Sequence, residues 1–166
     1  MGKVQDIFGY GSPGTVTRSA DNIIISVRNA SDRDVPFGAP VFINENGAEP
    51  FSIASPQEFE DFLGFAVSVR DKTPDVYPQG QFNDPPRSAW HPGDVMEVLV
   101  RGSIALETGV NGVQGSMLYI RKTDGTLVTN MGASGTTLLL ENVRVRRPRT
   151  GSVSCCEAVV NKRNVL

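Results

Sequence analysis

The stretch Pro92-Gly93-Asp94-Val95-Met96-Glu97-Val98-Leu99-Val100-Arg101-Gly102-Ser103-Ile104 decides the fold class. It opens on a proline-glycine turn and then places Met96, Val98 and Val100 on one side of the chain. A period of two belongs to a β-strand, whereas a helix would space its apolar residues three and four apart. Gly102 interrupts the run, so the pattern predicts two strand pieces between Asp94 and Glu107.

The same reading extends in both directions. Upstream, Ile23, Ile25 and Val27 share a face opposite Ser26 and Arg28. Pro40 to Asn44 forms a strand closed by Asn46-Gly47, a hairpin signal because both residues accept positive φ. Phe65, Val67 and Val69 alternate with Ala66, Ser68 and Arg70. Downstream come Met117 to Arg121, a turn at Asp124-Gly125, Thr126 to Thr129, Thr136 to Arg147 and Val153 to Val160. Ser55-Pro56-Gln57-Glu58 is the one helix start, with a Ser cap and Pro at the first position, and that helix runs to about Leu63. About ten short strands and one short helix predict a mainly β fold, a compact β-sandwich or barrel-like domain.

The first twenty residues read as an extended N-terminal arm, because Gly9, Gly11, Pro13 and Gly14 break any period. Residues 21–166 then form one β domain. Within it, residues 71–93 hold Pro74, Pro78, Pro85, Pro86 and Pro92, too many for a helix or central strand. This proline-rich excursion is read as a surface loop or as an insertion lying against a neighbour.

The bulk properties agree with a folded β domain. A chain of 166 residues can bury roughly 70% of its unfolded surface. Hydrophobic residues at 39% and charged residues at 20% exclude disorder along the whole length. Sixteen basic and 18 acidic side chains give a net charge of −2, which draws the molecule to neither nucleic acid nor an anionic membrane. The N-terminus carries no apolar run suited to a signal peptide, and no stretch approaches the roughly 20 apolar residues of a membrane span. The expectation is a soluble protein made in a cytoplasm.

Catalytic chemistry finds little support. His91 is the single histidine and has no His-x-x-x-His or Cys-x-x-Cys companion, so a turn histidine is expected and no metal or cofactor. Gly9-Tyr10-Gly11-Ser12-Pro13-Gly14 has dinucleotide-binding spacing but lacks the strand before and the helix after that would hold phosphate. Glu58, Glu60 and Asp61 read as a solvated face. Cys155 and Cys156 lie in a β-patterned run and read as small buried fillers. No catalytic residue is assigned, and a non-enzymatic protein is expected.

The candidate residues are instead those suited to contacts with other subunits. Ile7, Phe8, Tyr10 and Pro13 give the arm apolar points. Tyr77, Phe82 and Trp90 stand in the excursion, where either the body or a partner must cover them. Arg144 and Arg146 share one strand face opposite Val143 and Val145. That stripe reads as a solvated face or as a contact for an acidic partner.

Taken in order, several of these segments resemble the structural cement, or head decoration, proteins of tailed bacteriophages. They are Gly11-Ser12-Pro13-Gly14 through Thr17-Arg18, Phe37-Gly38-Ala39-Pro40-Val41, Phe62-Leu63-Gly64-Phe65-Ala66-Val67, the Pro92 to Ile104 stretch and the Thr123-Asp124-Gly125 hairpin. The excursion departs from the simplest family pattern. The resemblance implies a non-enzymatic virion protein, made in the host bacterial cytoplasm, that binds the outer capsid surface. It implies the major capsid protein as partner and a homo-oligomer, with a trimer favoured, and neither nucleic acid nor membrane. The competing reading is a receptor- or glycan-binding module of a head or tail fibre, with Tyr77, Phe82 and Trp90 stacking on sugar.

Overall fold

The computed structural model describes residues 12–18, 20–68, 89–109, 112–149, 155–162 and 164. Eleven strands are found among them: β1 (Ile23–Arg28), β2 (Val35–Pro36), β3 (Pro40–Asn44), β4 (Gly47–Pro50), β5 (Phe62–Ala66), β6 (Ala89–Trp90), β7 (Val95–Glu107), β8 (Met117–Arg121), β9 (Leu127–Val128), β10 (Thr137–Arg147) and β11 (Cys155–Val160). The chain is mainly β, as its alternation predicts.

The turn ahead of β7 forms as the proline-glycine pair requires. The Asp94 N–H donates to the His91 carbonyl at 3.1 Å, and Gly93 takes φ +83°. The two pieces expected between Asp94 and Glu107 are one 13-residue strand. Gly102 bends β7 instead of breaking it. At φ +125° it leaves room for Asn22, whose side chain a Cβ there would strike.

This long strand joins the two halves of the molecule. Residues 95–101 pair with β1, and Val98 and Leu99 also pair with β5. Residues 102–107 pair with β11, while Val16 bridges to Ile104. From β5 the order continues through β3 to β4, and from β11 through β10 and β8 to β9, every neighbouring pair antiparallel. The first half curls back on itself. Asn29, just past β1, bridges to Ala48 of β4, and the Ala30 N–H donates to the Ala48 carbonyl at 2.9 Å. The ladder β1-β7-β5-β3-β4 is thereby closed into a small barrel-like unit.

Two cores follow from this closure. Val35, Val41, Leu63, Ala66, Trp90, Met96, Val98 and Val100 form one cluster. Phe42, Phe62, Phe65 and Leu99 project from the opposite face of the same strands into the second, with Leu106, Leu118, Ile120, Leu140, Val143, Val145 and Ala158. Strands buried on both faces lose simple alternation, so β5 is covered at every position.

That double burial corrects the expected helix. Residues Phe59–Asp61 make a single 3-10 turn, and Phe62 already belongs to β5. Phe62 and Leu63 enter different cores, which a strand allows and one helix face does not. Packing outweighs the cap signal at Ser55, which stays exposed. The Asn46-Gly47 signal also shifts by one position: Gly47 is the first residue of β4, so Glu45 and Asn46 make the turn.

Candidate functional site

The end of the arm nearest the body is built into it. Residues 14–17 run antiparallel along β7: the Gly14 N–H donates to the Ala105 carbonyl at 2.9 Å, the Ala105 N–H to Thr15 at 2.9 Å, and the Thr17 N–H to Ser103 at 3.1 Å. On its other side, the Gly14 carbonyl accepts from the Ser68 N–H at 2.9 Å. Gly14 has φ +82°, and a Cβ there would lie 2.9 Å from the Ala66 oxygen and from the Gly38 and Ser68 nitrogens. A side chain is therefore excluded twice, by conformation and by space. Pro13 is half-buried and lies against Gly38.

Where this segment turns toward β1, one buried carboxylate holds it. Glu157 of β11 has a side chain only 3% exposed. Its Oε1 accepts from Thr17 Oγ1 at 2.8 Å and from Arg18 Nε at 2.9 Å, and its Oε2 lies 3.6 Å from Arg147 Nε. Burial alone would raise this carboxyl. The hydrogen bonds from Arg18 and Thr17, with the charges of Arg18 and Arg147, outweigh it and hold Glu157 below its ordinary value. A buried charge is tolerable only when paired and hydrogen-bonded, which is the arrangement found.

The residues expected to make contacts fall into three groups. Ile7, Phe8, Tyr10, Tyr77 and Phe82 lie outside the described residues. Trp90 is covered by its own body, 3% exposed, with Nε1–H donating to the Val67 carbonyl at 3.0 Å and Phe37 against its ring. Its indole is a core side chain and is not available to stack on a partner. Arg144 and Arg146 alternate with the buried Val143 and Val145, and a register shift then falls between Val145 and Arg147. Arg147, not Arg146, stands opposite Glu157, while Arg144 sits half-buried between Met117 and Val159.

Cys155 and Cys156 are buried and form no disulfide, and burial pushes the Cys156 thiol up to about 11. His91 Nδ1 meets Asp34 Oδ1 at 2.7 Å on an exposed turn. Among the described residues, no group of three or more His, Cys, Asp or Glu could hold a metal ion.

Sequence reasoning missed Glu157, Thr17 and Arg18 as a set because 139 or more residues separate the partners. The usable signal was a lone carboxylate among apolar neighbours, Cys155-Cys156-Glu157-Ala158-Val159-Val160.

Residues 2–160 match the family described as structural cement protein (E217 gp24/Pam3 gp6). The fold is similar to a chain in the solved structure "The capsid of Myoviridae Phage XM1", with a TM-score of 0.67 and 13% sequence identity. That likeness covers 92% of this chain and 91% of that chain, and at such identity it concerns the fold. No curated protein matches the chain.

Proposed function

This chain belongs to the phage structural cement protein family, and from that premise we propose that it binds the outer surface of a phage capsid and ties neighbouring major capsid subunits together. The observation that carries this reading is the family match, which takes in nearly the whole chain. Membership assigns the protein a structural role at the capsid. In this reading the chain attaches to the major capsid protein, forms a homo-oligomer with a trimer favoured, resides on the virion exterior after synthesis in the host cytoplasm, and works without catalysis, cofactor, nucleic acid or membrane.

The physical basis is additive contact. Packaged DNA presses outward on the shell, and a protein spanning subunit joints adds buried surface where the shell is weakest. Many copies on one lattice turn a modest affinity into a large combined stabilisation. In this reading Ile7, Phe8 and Tyr10 supply apolar contacts to the shell, and the hydrogen-bonded root at residues 14–17 ties their segment to the domain. Pro13, Arg144 and Arg146 supply further contacts in this reading, as do Tyr77 and Phe82. The glycan-binding alternative needs Trp90 on the surface, and its burial removes that support.

The direct test adds purified chain to heads that lack it and sediments the mixture. Saturable co-sedimentation, with heads that then resist higher temperature, is expected. A chain that stays in the supernatant at saturating concentration overturns the proposal.

A further inference from the structure

The outer face of β10, β11 and β7 gathers three arginines about one carboxylate. Val143, Val145, Ala158 and Val160 face the core, so the residues between them face outward. On that side β10 sets Arg144 opposite Val159 and Arg147 opposite Glu157. Two residues of β11 separate these rows, a step of about 7 Å. The register shift between Val145 and Arg147 is what brings Arg147 into the Glu157 row, since a bulge re-aims the side chain beyond it. Across β11, Ala105 of β7 stands opposite Glu157, and the arm root runs along β7 there. Arg18 thereby reaches the carboxylate from the other direction.

The cluster is not electrically balanced. Glu157 is 3% exposed, whereas the Arg18 side chain is 40% exposed and that of Arg147 57%. Both meet the carboxylate through Nε, at 2.9 and 3.6 Å, and neither has another ion pair among the described residues. Arg144 has no ion pair or side-chain hydrogen bond among them. Three positive charges facing one negative leave two cations unmatched. The charges nearby do not make up the difference: Asp21 is taken by Arg101 at 2.6 Å, and at the end of β7 Glu107 is accompanied by Arg149, bonded to the Thr108 carbonyl. A guanidinium carries five N–H donors, so one held by Nε keeps its Nη groups for an incoming acceptor. A polyanion such as nucleic acid is disfavoured by a chain of net charge −2, whereas a single carboxylate meets the cluster alone.

We propose that Arg18, Arg144 and Arg147 form a binding site for side-chain carboxylates of a partner protein, with Glu157 holding Arg18 and Arg147 in place. An Asp or Glu of the partner accepts from the Nη groups in the planar, two-bond arrangement that guanidinium and carboxylate share. Because Glu157 already restrains two of the arginines, less side-chain freedom is lost on binding than with mobile surface arginines. Naming the shell as the source of the carboxylate rests on the capsid reading above; the chemistry of the site does not.

The test uses the full chain, without capsids, and a fluorescent oligo-aspartate peptide followed by anisotropy at low salt, with inorganic phosphate as a second probe. The double variant Arg144→Ala/Arg147→Ala is expected to bind the peptide about tenfold more weakly, as for the loss of a charge-assisted hydrogen bond. The control Arg121→Ala/Lys122→Ala removes a basic pair elsewhere and should bind like the native chain. Each variant is checked for folding by its melting temperature. In the native chain the Nε–Hε NMR signals of Arg18 and Arg147 should move when peptide is added, which tests the site even where the double variant fails to fold. Phosphate should bind more weakly than the peptide. A peptide that does not bind, as when the chain's own carboxylates fill the site, overturns the proposal. So does a folded double variant that binds like the native chain, a pair of arginine signals that stay in place, or phosphate that binds more tightly than the peptide. Peptide binding by a chain that fails to attach to heads would uphold the site and count against the capsid reading alone.

Discussion

Glu157 couples the last strand to the arm, and its charge state can be followed. A carboxyl held below its ordinary value of 4.5 stabilises the fold at pH values above that figure. The contribution is lost as pH falls through the folded-state value, because the unfolded chain takes up the proton first. Glu157→Gln should therefore lose about 2 kcal/mol near pH 7, in the range for a hydrogen bond to a charged group. The difference from the native chain should shrink in acid, as read from urea unfolding at several pH values; a gap that is constant with pH would contradict the ionic role. Cys156 behaves oppositely. Its raised value keeps the thiol protonated, so thiol reagents should modify it only on unfolding. Its burial was legible in the sequence because an apolar strand surrounds it, whereas the partners of Glu157 were not, because the pairing depends on how distant strands stack.

Strand β5 and the turn before β7 show how far periodicity carries. Alternation located β7 and β8 well, and the Pro92-Gly93 turn was readable from steric preference alone. It failed where both faces are buried: Phe62 and Leu63 looked like the end of a helix because no polar residue marks an outer face. Gly64 explains the close approach of β5 to β7, since a Cβ there would overlap the Leu99 carbonyl. Gly64→Ala should cost about 3 kcal/mol, the upper range for overpacking, seen as a lower unfolding midpoint. Trp90→Ala should destabilise by about 3–5 kcal/mol, as for a buried aromatic. An unchanged melting temperature with selectively weakened binding would instead return Trp90 to an interface. The bulge between Val145 and Arg147 was invisible to a strict period of two, and it alone exchanges Arg146 for Arg147 beside Glu157.

For the whole molecule, the proposed attachment to heads runs through the arm. Residues 12–18 belong to the body by their hydrogen bonds, so truncation at residue 18 would remove Thr17 and Arg18 from Glu157 and confound binding with stability. Truncation at residue 11 separates the two, and should reduce attachment to heads at least tenfold with the melting temperature nearly unchanged. The order of strands and turns made the family legible, because each motif constrains a turn or an edge. The closure of β1 onto β4 was not, since a single bridge at Asn29 leaves no periodic trace. A cement on the capsid exterior is best checked by counting copies of this chain per major capsid subunit in purified particles by mass spectrometry. Cementing predicts a copy number of the same order as the major capsid protein. A handful of copies per particle, or none, would contradict it.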